Sequence, residues 1–197
     1  MRIRPAEPVD ATSIATIYNQ GIAERSSTFE TTPRNPDDML ERLEAHDRYP
    51  VLVMLDEHDK VIGWASLSDY RNRACYDGIA DFSIYMSREV RGQGLGKNLL
   101  QALLKEAEAR GFWKVLSRVF TSNRASLALC EACGFRQVGV YEKHACLDGR
   151  WIDCAIVERL IPTNQMPWLT LNRPGFPRHS PGSLRNAFQT LPVTADC

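Results

Sequence analysis

No stretch of the 197 residues approaches the run of roughly 18 apolar residues that a membrane span requires. The opening, MRIRPAEPVD, has no apolar h-region, so a secretory signal is not expected. Neither sign of charge is in excess: 24 Lys and Arg balance 24 Asp and Glu. That argues against a broad electrostatic footprint for nucleic acid. Cysteine is sparse, with six residues scattered along the chain, which does not read as a secreted disulfide framework. A reducing cytoplasm is the expected setting. Cys130 and Cys133 have C-x-x-C spacing, but no second such pair follows. A structural zinc site usually needs four ligands. The pair lies inside a helical pattern and reads better as two buried thiols than as a metal site. No repeat of solenoid length is present.

What is there is a chain of ordinary globular composition, 44% apolar and 24% charged, long enough for one domain with a substantial core. RIRP is a short first strand. Asp10 is expected to cap a helix carrying Ile14, Ile17 and Ile22. NPDDMLERLEAH is a second helix, with Asn35 as cap and Pro36 in the first helical position. VLVML and VIGWASLS form a hairpin. YRNRACYDG is a polar loop, followed by the strand IADFSIYM. After a glycine-rich loop comes a helix bearing Leu99, Leu100, Leu103, Leu104 and Ala107, ended by Gly111. WKVLSRVF is a strand and TSNRASLALCEACG a helix. FRQVGVYEKHACL and RWIDCAIVERL are strands joined by a turn at Asp148 and Gly149. The domain is expected to span residues 1–162. Residues 163–197 lose all periodicity, become rich in proline, and read as a poorly ordered tail.

The loop VRGQGLGK, between a strand and a helix, suggests a phosphate-bearing ligand. A Rossmann fingerprint needs G-x-G-x-x-G, whereas Gly92, Gly94 and Gly96 give G-x-G-x-G. A Walker A loop fails because Arg91 and Asn98 stand where Gly and Ser or Thr are required. The pattern R-x-x-G-x-G is met by Arg91, Gly94 and Gly96. Such a loop turns its N–H groups inward and places a pyrophosphate at a helix N-terminus. A glycine-rich turn without a ligand is the competing reading.

This loop resembles motif A of the GNAT superfamily of acyl-CoA N-acyltransferases, and the element order over residues 1–161 is similar to theirs. NRASLALCEACGF also resembles the family segment N-x-x-S-x-x-L-Y-x-x-x-G-F, with Cys130 where Tyr is frequent. The segments IYNQGIAERSSTFETTP, the Arg71–Tyr76 stretch, VLSRVF and VYEKHACLDGRWIDCAIVERL resemble the phosphinothricin acetyltransferase branch, and within it the bacterial arsinothricin N-acetyltransferases. The resemblance implies an α/β (α+β) fold, with a central mixed, mostly antiparallel twisted sheet flanked by helices. It implies acetyl-CoA as co-substrate, a glutamate-like amino acid as acceptor, detoxification as the outcome, and a homodimer. By the same resemblance Arg91, Gly92, Gln93, Gly94, Leu95, Gly96 and Lys97 cradle the pyrophosphate. Asn123 and Ser126 touch the coenzyme A arm. Ile84, Tyr85 and Met86 border the thioester, with backbone N–H groups around Tyr85 and Met86 as oxyanion donors.

The strand before the loop alternates. Phe82, Ile84 and Met86 face one side; Asp81, Ser83 and Tyr85 face the other. Asp81 stands where the branch carries a catalytic Glu and is the candidate base for the substrate amine. The competing reading is a half-buried carboxylate tied to nearby backbone. Cys130 either protonates the departing thiolate or is a buried packing thiol. Arg71 and Arg73, two apart, suit the anionic groups of an amino acid if the loop is extended, or else are solvated. Phe29 and Tyr76 wall the pocket by resemblance, or belong to the core, and Ser83 joins the substrate side. No role is assigned to His144. Acetylation of protein N-termini or polyamines, and a non-catalytic acyl-CoA-binding module, remain the other functional readings.

Overall fold

The computed structural model describes residues 1–44 and 48–165. The end of the second helix expected through His46, and the tail expected beyond residue 165, lie outside the described residues. The elements are β1 (Arg2–Pro5), α1 (Ala11–Glu24), α2 (Pro36–Glu44), β2 (Val51–Leu55), β3 (Val61–Asp69), β4 (Ile79–Met86), α3 (Leu95–Ala109), β5 (Lys114–Phe120), α4 (Arg124–Ala132), β6 (Arg136–Leu147) and β7 (Arg150–Leu160). The strands form one 7-stranded sheet in the order β1-β2-β3-β4-β5-β7-β6. β4 and β5 are parallel; every other neighbouring pair is antiparallel.

Both faces of the sheet centre are covered, which is why β2 is buried along its whole length. On one face Leu52, Met54, Leu67 and Phe82 pack with Leu99, Leu100, Leu103 and Leu104 of α3. On the other, Val51, Val53 and Trp64 pack with Ile14, Ile17, Tyr18 and Ile22 of α1 and Met39 of α2. β4 splits as its alternation predicts: Ile84 and Met86 pack on the α3 side, and Tyr85 on the α1 side.

Local chemistry explains most of the boundaries. Asn35 accepts from the Asp38 N–H and Asp38 from the Asn35 N–H, both at 2.9 Å, a reciprocal cap on α2. The β6–β7 turn has φ of 48° at Asp148 and 75° at Gly149, the backbone of a two-residue primed hairpin turn.

Asp10 departs from expectation. A short 3-10 turn, Pro8–Asp10, runs directly into α1, so Asp10 is already in the helical region (φ −79°, ψ −13°) and makes no cap bond to the helix. Its carboxylate instead accepts from the Arg4 guanidinium at 2.7 and 2.9 Å and from the Glu7 N–H at 2.8 Å. Past Pro162 a further 3-10 turn, Pro162–Asn164, is tied to the end of α3, where Asn164 Nδ2 donates to Glu108 O at 2.8 Å and to Phe112 O at 2.9 Å.

Candidate active site

β4 and β5 pair only over Ile79–Asp81 against Lys114–Leu116. Beyond that point β4 bonds β3 alone and β5 bonds β7 alone, so the two parallel strands part. A cavity of about 390 Å³ lies at the parting. β4 contributes Asp81 to Tyr85, β5 contributes Ser117 to Phe120, and Ser27, Thr28, Phe29, Asn123, Ser126 and Cys130 complete the wall.

The parting also frees backbone donors. The Ser87 N–H bonds Ile62 O at 2.8 Å on the β3 side. Antiparallel alternation then turns the N–H groups of Ser83 and Tyr85 to β3 and those of Ile84 and Met86 toward β5. With the β4–β5 ladder ended at Asp81, Ile84 and Met86 have no strand to donate to. Of the N–H groups around Tyr85 and Met86, where oxyanion donors are expected, those of Ile84 and Met86 are therefore the free ones, and that of Tyr85 is turned to β3.

The glycine loop follows directly. Gly92 and Gly94 have φ of 78° and 77°, and a Cβ at either would meet nothing within 4 Å. The space that side chains would fill there is open, as a bound phosphate group requires. Lys97 N–H closes the first turn of α3 on Gly94 O at 3.1 Å. The N–H groups of Leu95 and Gly96, ahead of it, have no intrahelical acceptor. Arg91 is held by two other groups: Nε donates to Met86 O at 2.9 Å and Nη1 to Glu24 at 2.6 Å. Gly96 has a packing reason to be small, since a Cβ there would stand 3.3 Å from Leu129 of α4.

Asp81 is the titratable centre. Arg118 Nη2 donates to its Oδ2 at 3.0 Å, while Oδ1 is buried with no hydrogen-bond partner among the described residues. Burial pushes the carboxyl above its ordinary value; Arg118 opposes this and the charge of Asp69 adds to it. Asp81 lines the cavity, and a desolvated carboxylate there can accept a proton from a bound amine.

A family model for the acetyltransferase (GNAT) family matches residues 19–135. The chain belongs to that family. A phosphinothricin N-acetyltransferase of Streptomyces viridochromogenes is 32% identical over 160 residues, covering 81% of this chain and 87% of that protein. An L-methionine sulfoximine/L-methionine sulfone acetyltransferase of Pseudomonas paraeruginosa is 32% identical over 168 residues, covering 84% and 98%. The crystal structure of a GNAT superfamily phosphinothricin acetyltransferase from Sinorhizobium meliloti in complex with acetyl-CoA matches with a TM-score of 0.77 at 35% identity, covering 81% and 88%.

Within this GNAT domain, the expected site residues fall into three groups. Asp81, Ser83, Ile84, Tyr85, Phe29, Asn123, Ser126 and Cys130 line the cavity together. Met86, at the end of β4, and the segment Arg91–Lys97, which runs into the start of α3, are not among the residues that line it. Arg71, Arg73 and Tyr76 do not line it. The loop is not extended there, because the Arg73 N–H bonds back to Arg71 O at 2.8 Å, and the Arg71 guanidinium lies 5.2 Å from the Tyr70 ring and 5.8 Å from the Tyr76 ring.

Individual roles sharpen. The Tyr85 ring stacks on Trp64 at 5.1 Å and meets Tyr18 edge-on at 4.8 Å; burial raises its phenol far above the ordinary value, so it stays protonated and walls the cavity. Burial, reinforced by Cys133, pushes the Cys130 thiol up to about 12. Transfer of its proton to a departing thiolate, whose pKa is ordinarily about 8.5, runs uphill, which favours the packing role. Asn123 accepts from the Ser126 N–H at 3.1 Å as the cap of α4 and donates to Ser26 O at 3.2 Å, so it ties the α1–α2 connection to the cavity edge. Phe29 packs on Phe120 with ring centroids 4.6 Å apart.

Arg118 was not singled out in the sequence. The alternation of KVLSRVF places it on one face with Leu116 and Phe120, but only the parallel pairing of β5 with β4 reveals that this face meets Asp81.

Proposed function

We propose that this enzyme transfers the acetyl group of acetyl-CoA to the α-amine of a small glutamate-like amino acid of the phosphinothricin, methionine sulfoximine and arsinothricin class. Acetylation removes the ammonium that makes such compounds mimics of glutamate, so the biological outcome is detoxification and resistance to an antimetabolite, arsinothricin included. The observation that carries the reading is Asp81: a buried carboxylate with one unpartnered oxygen, in the gap beside free backbone donors. The names of the relatives at 32% identity support the acceptor class.

Asp81 takes the proton of the attacking amine as the C–N bond forms, directly or through one water. The N–H groups of Ile84 and Met86 receive the negative charge that develops on the thioester oxygen. The C–S bond breaks and coenzyme A leaves as a thiolate that water can protonate. The loop Arg91–Lys97 holds the pyrophosphate through backbone N–H groups and the N-terminus of α3, with Asn123 and Ser126 along the arm. Arg71 and Arg73 meet anionic groups of the substrate that extend beyond the cavity. The enzyme acts as a homodimer in the cytoplasm.

Release of free thiol from acetyl-CoA with phosphinothricin, arsinothricin, methionine sulfoximine, glutamate and spermidine tests the reading. Turnover of the glutamate analogues with little or none of spermidine is expected. Preference for spermidine, or no thiol release with any amine, would overturn it.

A further inference from the structure

The cavity has a charge pattern that the amine-accepting role of Asp81 does not explain. Among the described residues its charged lining consists of Asp69, Asp81 and Arg118, so Arg118 is the one cation there. The guanidinium bears five N–H donors, and among the described residues a single one is spent, on Asp81 Oδ2 at 3.0 Å. Its side chain is 41% exposed, whereas its carboxylate partner is 15% exposed, so Arg118 is the more open member of the pair. Arg118 also sits mid-strand, with its backbone opposite Ile156 of β7, a more rigid mounting than the loop that carries Arg71 and Arg73.

We propose that Arg118 is the specificity-determining residue that binds the carboxylate attached to the same carbon as the reacting amine. The proposal rests on the amino-acid reading above. An α-amino acid presents a donor cation and an acceptor anion on one carbon, about as close together as two hydrogen-bonded groups. The cavity presents the complement at that separation: acceptor Asp81 and donor Arg118. With no substrate bound, the two share one hydrogen bond. When an amino acid enters, the ammonium pairs with the Asp81 carboxylate and the substrate carboxylate takes the unspent donors of Arg118. No charge is then left buried without a partner, which a lone amine cannot achieve. A polyamine would instead bring further positive charge against Arg118. The enzyme therefore requires a free α-carboxylate, whatever the side chain beyond it carries.

The test compares wild type, Arg118→Ala and Arg118→Lys on methionine sulfoximine and on its α-carboxamide, with acetyl-CoA affinity followed by calorimetry. Wild type should prefer the acid to the amide. Arg118→Ala should raise KM for the acid, lowering kcat/KM by roughly 10- to 100-fold more than for the amide, with acetyl-CoA bound as before. Arg118→Lys keeps the charge but loses the fork and should fall between. Should the alanine variant not fold, Arg118→Gln keeps a hydrogen bond to Asp81 and should lose the same preference for the acid. Equal losses on acid and amide would make Arg118 a mere support for Asp81 and overturn the inference alone. A wild type that acetylates polyamines but no amino acid would overturn the substrate reading, and this inference with it.

Discussion

Replacing Asp81 with Asn isolates the proton-transfer step. The change is nearly isosteric, and Asn Oδ1 can still accept the Arg118 hydrogen bond made at 3.0 Å. What is lost is basicity in a site where burial has raised the carboxyl. Positioned general bases contribute about 10²- to 10⁴-fold, so kcat at pH 7 should drop by about that factor. The loss should depend on pH. The α-amine of a free amino acid is almost wholly protonated at pH 7 and increasingly free toward pH 9, so part of the loss should return over that interval. Wild-type kcat should fall at acid pH as the raised Asp81 carboxyl becomes protonated, with Asp69 and Arg118 as the charges facing it; the Asn variant should lose that limb. Thiol release at saturating acetyl-CoA from pH 5 to 9 measures all three effects. An Asn variant with wild-type kcat at pH 7, or one that retains the acid limb, would show that another group takes the proton.

The loop and the first helix give independent tests. Gly94 has φ of 77° and open space where a Cβ would point, so Gly94→Val should strain the backbone by about 1–2 kcal/mol and intrude on the phosphate position. Acetyl-CoA Kd by calorimetry should rise at least tenfold while the melting temperature falls only a few degrees; an unchanged Kd would move the phosphate site elsewhere. At Asp10 burial alone pushes the carboxyl up, but Arg4 and the Glu7 N–H outweigh it and hold it below the ordinary 3.8. Its stabilisation is therefore complete above the unfolded pKa and is lost as pH falls through the lower folded one. Asp10→Ala should cost about 2–3 kcal/mol at pH 7, and the difference from wild type should narrow below about pH 4; a constant difference in thermal melts down to pH 2 would contradict this.

Much of the fold was legible because its signals are local. The alternation of Asp81 to Met86 assigns side chains to faces with no tertiary information, and the structure keeps that assignment. Asn35 and Asp38 cap α2 from three residues apart. What could not be read is non-local. Glu24 reaches Arg91 from another element and draws its guanidinium to itself and Met86 O, although the motif alone assigns that side chain to phosphate. Arg118 looks like an ordinary polar strand residue until β5 is laid parallel to β4. Asp10 satisfied every local rule for a cap, yet a preceding 3-10 turn and Arg4 redirected its carboxylate.

The decisive non-local event is the end of the β4–β5 ladder at Asp81 and Leu116. Had the ladder continued, Ile84 and Met86 would have spent their N–H groups on β5, and no cavity would separate Ser83 from Arg118. Because it stops, one strand divides its labour by parity. The even residues Phe82, Ile84 and Met86 bury their side chains against the α3 side, and Ile84 and Met86 turn their N–H groups into the gap. The odd residues Asp81, Ser83 and Tyr85 put side chains on the cavity, and β3 anchors the backbone of Ser83 and Tyr85. The donors that would meet an oxyanion are thus fixed by the same packing that stabilises the domain, and they need no loop to order them. Asp81 sits at the last position in register with both β3 and β5, while its side chain lines the opening. A base mounted there can be buried enough to be raised and still reach a substrate, which neither a mid-ladder position nor a free loop would allow.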